Sequence, residues 1–332
     1  MLKDPRLIPI LLLGVALLML ASQQMSEQPI MSAPPPDGER ITFFALGDQG
    51  SGSYRQHAVE WSLERACQAD RTVNFTLLLG DNFYKEGVTS VDDPLWDEYF
   101  ESMYDGPCLM GMPFYAILGN HDHMKNAQAQ VDYYEQGLGT GRWRMPGMSY
   151  SQDFGMVDGQ TLLQLFVVDI TLPIAPQLAE IEAAKGNALW TVVASHHTIR
   201  SFDDVYGDNE ALLEQMQGLA ELGVDLYISG HAHNLQLISV EGEPLYLVSG
   251  AGGKRPYELN QHGKVVLVRV DEPYTGKLQL YGNASLGFAK VTVDSEILEI
   301  SFSPVSLGGE QTFRITRECK EAEEINRCVV RL

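Results

Sequence analysis

An amide, two imidazoles and a carboxylate occupy four consecutive positions, Asn120, His121, Asp122 and His123, directly after the apolar run PFYAIL that begins at residue 113. Four other apolar runs end in comparable groups. ITFFAL at 41 leads into GDQG with Asp48, and FTLLLG at 75 into GDNFY with Asp81 and Tyr84. LWTVVAS at 189 leads into His196 and His197, and DLYISG at 225 into GHAH with His231 and His233. Taken singly, a GD pair is a tight turn with an Asp cap, and a GHAH is a turn with surface histidines. Taken together they are a donor set, since six of the eight histidines fall in three of these endings. Carboxylate, amide and imidazole donors gathered at strand ends point to a metal site.

Such groups must be brought together by the elements that carry them. Between several apolar runs lie segments such as RQHAVEWSLERACQAD and NEALLEQMQGLAELG, whose apolar residues recur at three and four. Short apolar strands alternating with helical patterns predict an α/β domain with a largely parallel, buried sheet. In open α/β sheets functional groups gather outside the carboxyl ends of the strands, so five polar endings converge on one edge. After Gly253 the helical pattern fades and strand candidates dominate.

At these residues the chain resembles the purple acid phosphatases, a branch of the metallophosphoesterases. The five blocks of that family, DxG, GDxxY, GNH(D/E), VxxH and GHxH, stand complete and in order at Asp48–Gly50, Gly80–Tyr84, Gly119–Asp122, Val193–His196 and Gly230–His233. The likeness to the small tartrate-resistant type runs over roughly residues 41 to 305. It implies a four-layer α/β/β/α sandwich, two central β-sheets flanked by helices. It also implies a ferric iron held by Asp48, Tyr84, His233 and a bridging Asp81, and a divalent iron, zinc or manganese held by Asp81, Asn120, His196 and His231. The implied reaction is hydrolysis of phosphate monoesters by a metal-bound hydroxide, with inversion and no phosphoenzyme. His121 is expected to bind the phosphate and protonate the leaving alkoxide, Asp122 to hold His121 or its loop in place, and His123 to be structural.

The match departs from the family in three places. The small type carries a second histidine about nine residues after the fourth-block ligand, where this chain has Val205. The role is vacant or falls to His197, Arg200 or Tyr206, the candidate substrate-binding residues. DITLPIAPQLAEIEAAKGN leaves little room for the exposed, protease-sensitive loop of that type, which predicts an open site active without processing. Ala232 stands between the two histidines of the last block, where an acidic residue is common. Arg142, Arg144, Lys254 and Arg255 either assist anion binding or are solvated surface charges.

The remaining composition bounds partners and compartment. A formal net charge of −21 provides no basic surface for nucleic acid and disfavours polyanionic substrates, while a bound cation can still reverse the local potential for a small anion. Small phosphomonoesters are the expected partners; the oligomeric state is open, with a monomer favoured. Lys3 and Arg6 precede an apolar run from Leu7 to Ala21, which reads as a signal peptide or a retained membrane anchor over residues 1–21. Either form exports the protein, to a periplasmic, secreted or membrane-attached location. Residues 22–40 read as a Pro-rich linker, 41–318 as the catalytic domain and 319–332 as a tail. Four cysteines permit two disulfides: the short spacing favours Cys319 with Cys328, which leaves Cys67 for Cys108, and free buried thiols are the alternative. Two other functional readings compete, a phosphodiesterase using the same metals and a non-catalytic metal-binding or redox surface protein.

Overall fold

The apolar runs become strands whose two faces are both buried, because alternate side chains enter different cores. In the first strand, β1 (Arg40–Leu46), Ile41, Phe43 and Ala45 join Val192, Leu226 and Leu237 of a second sheet, while Phe44 and Leu46 turn the other way onto Val59 and Leu63 of the helix Tyr54–Ala69. The second sheet repeats the device: Val192 and Ala194 face the shared core, and Val193 packs outward against Ile174, Ile181 and Leu212. Each such side chain removed from water contributes about 1.5–3 kcal/mol, so the layering is driven from the middle outward. The result is two central sheets with helices outside them. This computed structural model describes residues 38–259, 276–306 and 308–332. The N-terminal apolar segment and nearly all of the linker lie outside the described residues.

In chain order the next strands are β2 (Phe75–Leu78), β3 (Phe114–Ala116), β4 (Trp143–Arg144), β5 (Tyr150–Val157), β6 (Gln160–Val167), β7 (Ala188–Ser195) and β8 (Leu226–Ser229). They are followed by β9 (Leu235–Val240), β10 (Leu245–Ser249), β11 (Lys277–Asn283), β12 (Gly287–Asp294), β13 (Ile297–Pro304), β14 (Gln311–Thr316) and β15 (Val330–Arg331). One sheet runs β15-β14-β13-β12-β1-β2-β3-β4 and the other β11-β9-β10-β8-β7-β6-β5. The expectation of a largely parallel sheet is corrected here, because both sheets are mixed. β1 to β4 are parallel and β12 to β15 add an antiparallel wing; β6, β7, β8 and β10 are parallel and β5, β9 and β11 antiparallel.

Helices are few. Tyr54–Ala69 forms as its periodicity predicts, with Ser53 accepting from the Arg55 amide at its start. NEALLEQMQGLAELG yields only the short helix Glu210–Gln215, capped by Asn209, because Gly218 and Gly223 adopt left-handed φ values of 80° and 82° and divert the chain into turns. DITLPIAPQLAEIEAAKGN is mostly the helix Ile174–Ala183 rather than an extended loop. Both expected disulfides are present, Cys67–Cys108 and Cys319–Cys328, and no cysteine is free. The C-terminal residues are fastened to the first sheet by β15 pairing on β14.

Candidate metal centre

Strand register aligns the ligating groups before any side chain is considered. Leu46 pairs with Leu78 and Leu78 with Ala116, so β1, β2 and β3 end level and release Asp48, Asp81 and Asn120 side by side. Ser195 pairs with Ser229 in the other sheet, which does the same for His196 and His231. Immediately past these ends the backbone turns sharply. Among the described residues four non-glycine positions have positive φ, and three of them are Asp48 (59°), Asp81 (55°) and His231 (63°). Left-handed backbone is unfavourable for such residues and concentrates where a fixed side-chain direction is required. The neighbouring glycines make room: a Cβ on Gly119 would lie 2.2 Å from Asp81 Oδ1, and one on Gly80 would lie 2.6 Å from His196 Nδ1.

Two groups of donor atoms result. In the first, the Tyr84 hydroxyl lies 3.0 Å from Asp48 Oδ1 and 3.5 Å from His233 Nε2, and His233 Nε2 lies 3.3 Å from Asp48 Oδ1. In the second, His196 Nε2 is 3.2 Å from Asn120 Oδ1, 3.3 Å from His231 Nδ1 and 3.5 Å from Asp81 Oδ1. One ligand atom from each of Asp48, Asp81 and His196 lies within 4.8 Å of the others, so the two groups are adjoining.

The tautomers decide what these atoms face. His196 Nδ1 donates to the Leu79 carbonyl at 2.8 Å and His233 Nδ1 to the Arg255 carbonyl at 3.0 Å, so that as a neutral ring each turns the Nε2 lone pair inward. Those lone pairs then confront carboxylate and amide oxygens, which are acceptors too. Acceptors converging without a proton between them fit a cation, and outer carbonyls that orient ligating imidazoles are the usual accompaniment of a metal. Charge makes the same demand. Asp48, Asp81 and Asp122 are all buried, and the ion-pair partners of Asp48 and Asp81 among the described residues are histidines. Burial first, then Asp48 and Asp81, drives the Tyr84 phenol far above its ordinary pKa, so only a strong cation can take its proton. Burial, then His196 and His197, lowers His231 to about 2, a neutral ligand-type imidazole.

Around this centre the other expected residues separate into those that reach it and those that do not. The His121 ring packs against Tyr84 with centroids 4.6 Å apart; its Nδ1 bonds the Lys85 carbonyl and its Nε2 lies 3.9 Å from Asp81 Oδ2. Asp122 is wholly buried and accepts from the amides of Gly119 (2.8 Å), Asn82 (3.1 Å) and Phe83 (3.2 Å) and from Gln130 Nε2 (2.8 Å). It ties the Asn120 loop to the Asp81 loop and has no described contact with the His121 ring, which makes it a positioning residue. Burial, then Asp81, pushes it up to about 6. His123 pairs with Asp169 at 2.9 Å.

The His197 ring lies 4.5 Å from His231, and burial followed by His196 lowers it to about 3, too low for a proton donor. Arg200 is not free for an anion: its Nε and NH2 bind Glu243 and its NH1 binds Asp208 at 3.0 Å. Tyr206 stacks on His231 at 4.1 Å. Of the four basic candidates, Arg142 and Arg144 are buried in bonds to Glu101 and to backbone carbonyls, and Arg255 is exposed. Lys254 alone comes to the centre, with Nζ 4.1 Å over the Tyr84 ring. Two residues at the site have no role in the sequence reading: Asp169, the partner of His123, and Tyr257, stacked on His233 at 4.1 Å. PYEL around Tyr257 carries no signal that could have marked it.

Comparison with known proteins agrees with the geometry. The calcineurin-like phosphoesterase family matches residues 41–235. Purple acid phosphatase 4 of Arabidopsis thaliana is 32% identical over 74% of this chain and 77% of its own. Tartrate-resistant acid phosphatase type 5 of Homo sapiens is 28% identical over 82% of this chain and 90% of its own. Among solved structures, GAP50, described as the anchor in the inner membrane complex of Plasmodium, superposes with a TM-score of 0.66 at 23% identity, covering 81% of this chain and 86% of that one, a likeness of fold alone. With the matched family spanning the five strand ends that carry the candidate donors, the chain belongs to the calcineurin-like phosphoesterases and, within them, to the purple acid phosphatases: it is a dimetal phosphatase.

Proposed function

We propose that the protein is an acid phosphatase for phosphate monoesters, with ferric iron held by Asp48, Tyr84, His233 and Asp81 and a divalent iron, zinc or manganese held by Asp81, Asn120, His196 and His231. The observation that carries this reading is the buried Tyr84 hydroxyl, 3.0 Å from Asp48 Oδ1 and 3.5 Å from His233 Nε2. A phenolate beside a carboxylate is a hard oxygen pair suited to a trivalent ion, whereas the imidazole and amide donors of the second group suit a divalent one. When bound, such a pair supplies Lewis-acid charge to the phosphate and lowers the pKa of water.

The chain's own residues do the rest. His121, held through Nδ1 by the Lys85 carbonyl, points Nε2 toward the centre and is free to bond the phosphate and give the leaving alkoxide a proton. That role requires the imidazolium form. Lys254 adds a positive charge over the Tyr84 ring. Small phosphomonoesters are the fitting substrates, because the net charge of −21 opposes large polyanions. Two disulfides support a location outside the reducing cytosol.

The test is the metal content of the purified protein together with its rates on 4-nitrophenyl phosphate and bis(4-nitrophenyl) phosphate at acid pH. About two metals per chain, iron among them, and a monoester rate at least ~10-fold the diester rate are expected. A faster diester rate would make the protein a phosphodiesterase. Failure of the metal-loaded protein to hydrolyse either ester would remove the catalytic reading altogether.

A further inference from the structure

Two tyrosines cover the outer faces of two of the metal-facing histidines. Tyr206 lies on His231 with centroids 4.1 Å apart and planes at 24°, and Tyr257 lies on His233 at 4.1 Å and 21°. The two meet edge to face at 5.8 Å. They come from different loops, and the backbone joins those loops: Asp203 bridges Leu259, and the Asp204 amide donates to the Glu258 carbonyl at 3.1 Å. Asp203 Oδ1 accepts from the Val205 and Tyr206 amides at 2.8 and 2.7 Å, which fixes the turn, and the Tyr257 amide donates to the His233 carbonyl at 2.9 Å. This wall is therefore built, not draped. Yet among the described residues Tyr206 is 47% exposed and the adjoining Val205 53%, an apolar surface beside a centre otherwise lined by charge.

A phosphate group has no use for an aromatic wall, since the metals and His121 satisfy its oxygens. The remaining part of an ester substrate is its organic group, and this surface lies directly beside the second set of donor atoms through His231. We infer that Tyr206 and Tyr257 form the leaving-group subsite and select planar aromatic esters, with Tyr206 as the stacking residue and Tyr257 as its brace. The inference rests on the phosphomonoesterase reading for its substrates, but the subsite itself can be read by binding alone. A ring stacked on Tyr206 gains about 0.5–1.5 kcal/mol, roughly 2- to 12-fold in affinity. Both phenols stay neutral, because burial first raises the pKa of each.

The experiment compares binding of phenylphosphonate and methylphosphonate, two non-hydrolysable phosphoryl anions, to the metal-loaded full chain and its Tyr206→Ala and Tyr206→Phe variants, with metal content measured for each. The wild type is expected to prefer the phenyl compound. Tyr206→Ala should reduce that preference about 3- to 10-fold with its metals retained, and Tyr206→Phe, which keeps the ring, should restore it. A parallel series of kcat and KM with phenyl phosphate and glycerol 2-phosphate should show the same loss in KM for the aryl ester. Equal weakening of both phosphonates, or loss of metal in Tyr206→Ala, would overturn the inference and make Tyr206 a support for His231. A wild type that prefers phenylphosphonate yet hydrolyses neither ester would uphold the subsite and sink the phosphatase reading instead.

Discussion

Tyr84 is the residue on which the chemistry of this centre turns. Burial first, and then the charges of Asp48 and Asp81, resist ionisation of its hydroxyl, so coordination to a cation is the one way to deprotonate it near neutral pH. Replacing Tyr84 by Phe should abolish the visible absorption band expected of an iron phenolate while the second set of ligands, Asn120, His196 and His231, still holds a metal. Absorption spectra taken beside metal analysis check this, and a band that survives in Tyr84→Phe would remove Tyr84 from the ligands. His121 is the complementary case, since it borders the donor atoms without joining either group. His121→Ala should retain both metals and lose at least ~10-fold in kcat, the ordinary worth of a positioned general acid. Unchanged turnover would show that the proton comes from elsewhere.

At the scale of elements, the loops after the strands are rigid because they are bonded to one another. Asp122 joins the third strand-end loop to the second, and His123 in the same short turn joins it to Asp169 after β6 in the other sheet. The His123–Asp169 pair has a definite pH window. The hydrogen bond to Asp169 raises His123 from 6.5, so its contribution is complete below 6.5 and fades as pH rises through the raised value. Burial pushes Asp169 up, but its bonds to His123 and Thr171 outweigh that and hold it below 3.8, so its contribution is complete above 3.8 and fades as pH falls through the lowered value. Both operate between those limits. Asp169→Asn should therefore cost more stability at pH 5.5 than at pH 8.5, by about 1 kcal/mol, read from denaturant midpoints at the two pH values. An equal cost at both would mean that the Thr171 contacts, not the ion pair, account for the Asp169 carboxylate.

The described residues are held by an apolar layer between two sheets, by apolar layers on the outer faces of those sheets, and by two disulfides. Cys67–Cys108 ties the helix Tyr54–Ala69 to the segment before β3 across a separation of 41, and Cys319–Cys328 closes a separation of only 9. Chain entropy scales with the loop closed, so removing the first pair as Cys67→Ala with Cys108→Ala should cost about 4 kcal/mol and removing the second about 3 kcal/mol. Equilibrium unfolding of the two double variants tests the order. A larger cost for the second pair would place the stress of unfolding at the C-terminal edge, where β15 adds to β14.

Legible in the sequence alone are the candidate ligands and their places at strand ends. The alternation of apolar residues dictates the strands, and Asp48, Asp81, Asn120, His196 and His231 follow those strands at once in the chain, so local order alone puts them on a common edge. Both disulfides were legible for a similar reason, because a spacing of 9 between Cys319 and Cys328 leaves one partner for Cys67. The mixed sheets were not, since a strand's direction depends on its neighbours and not on its own pattern. NEALLEQMQGLAELG shows a helical period but is cut by Gly218 and Gly223, whose left-handed backbone outweighs the weak propensity of its flanks. Only the tertiary structure could withdraw Arg200 from the site, because Glu243, which neutralises it, lies 43 residues away. It alone could bring Tyr257, Lys254 and Asp169 to the centre. Contacts between loops of distant sequence are set by how two sheets pack face to face, and no local pattern encodes that packing.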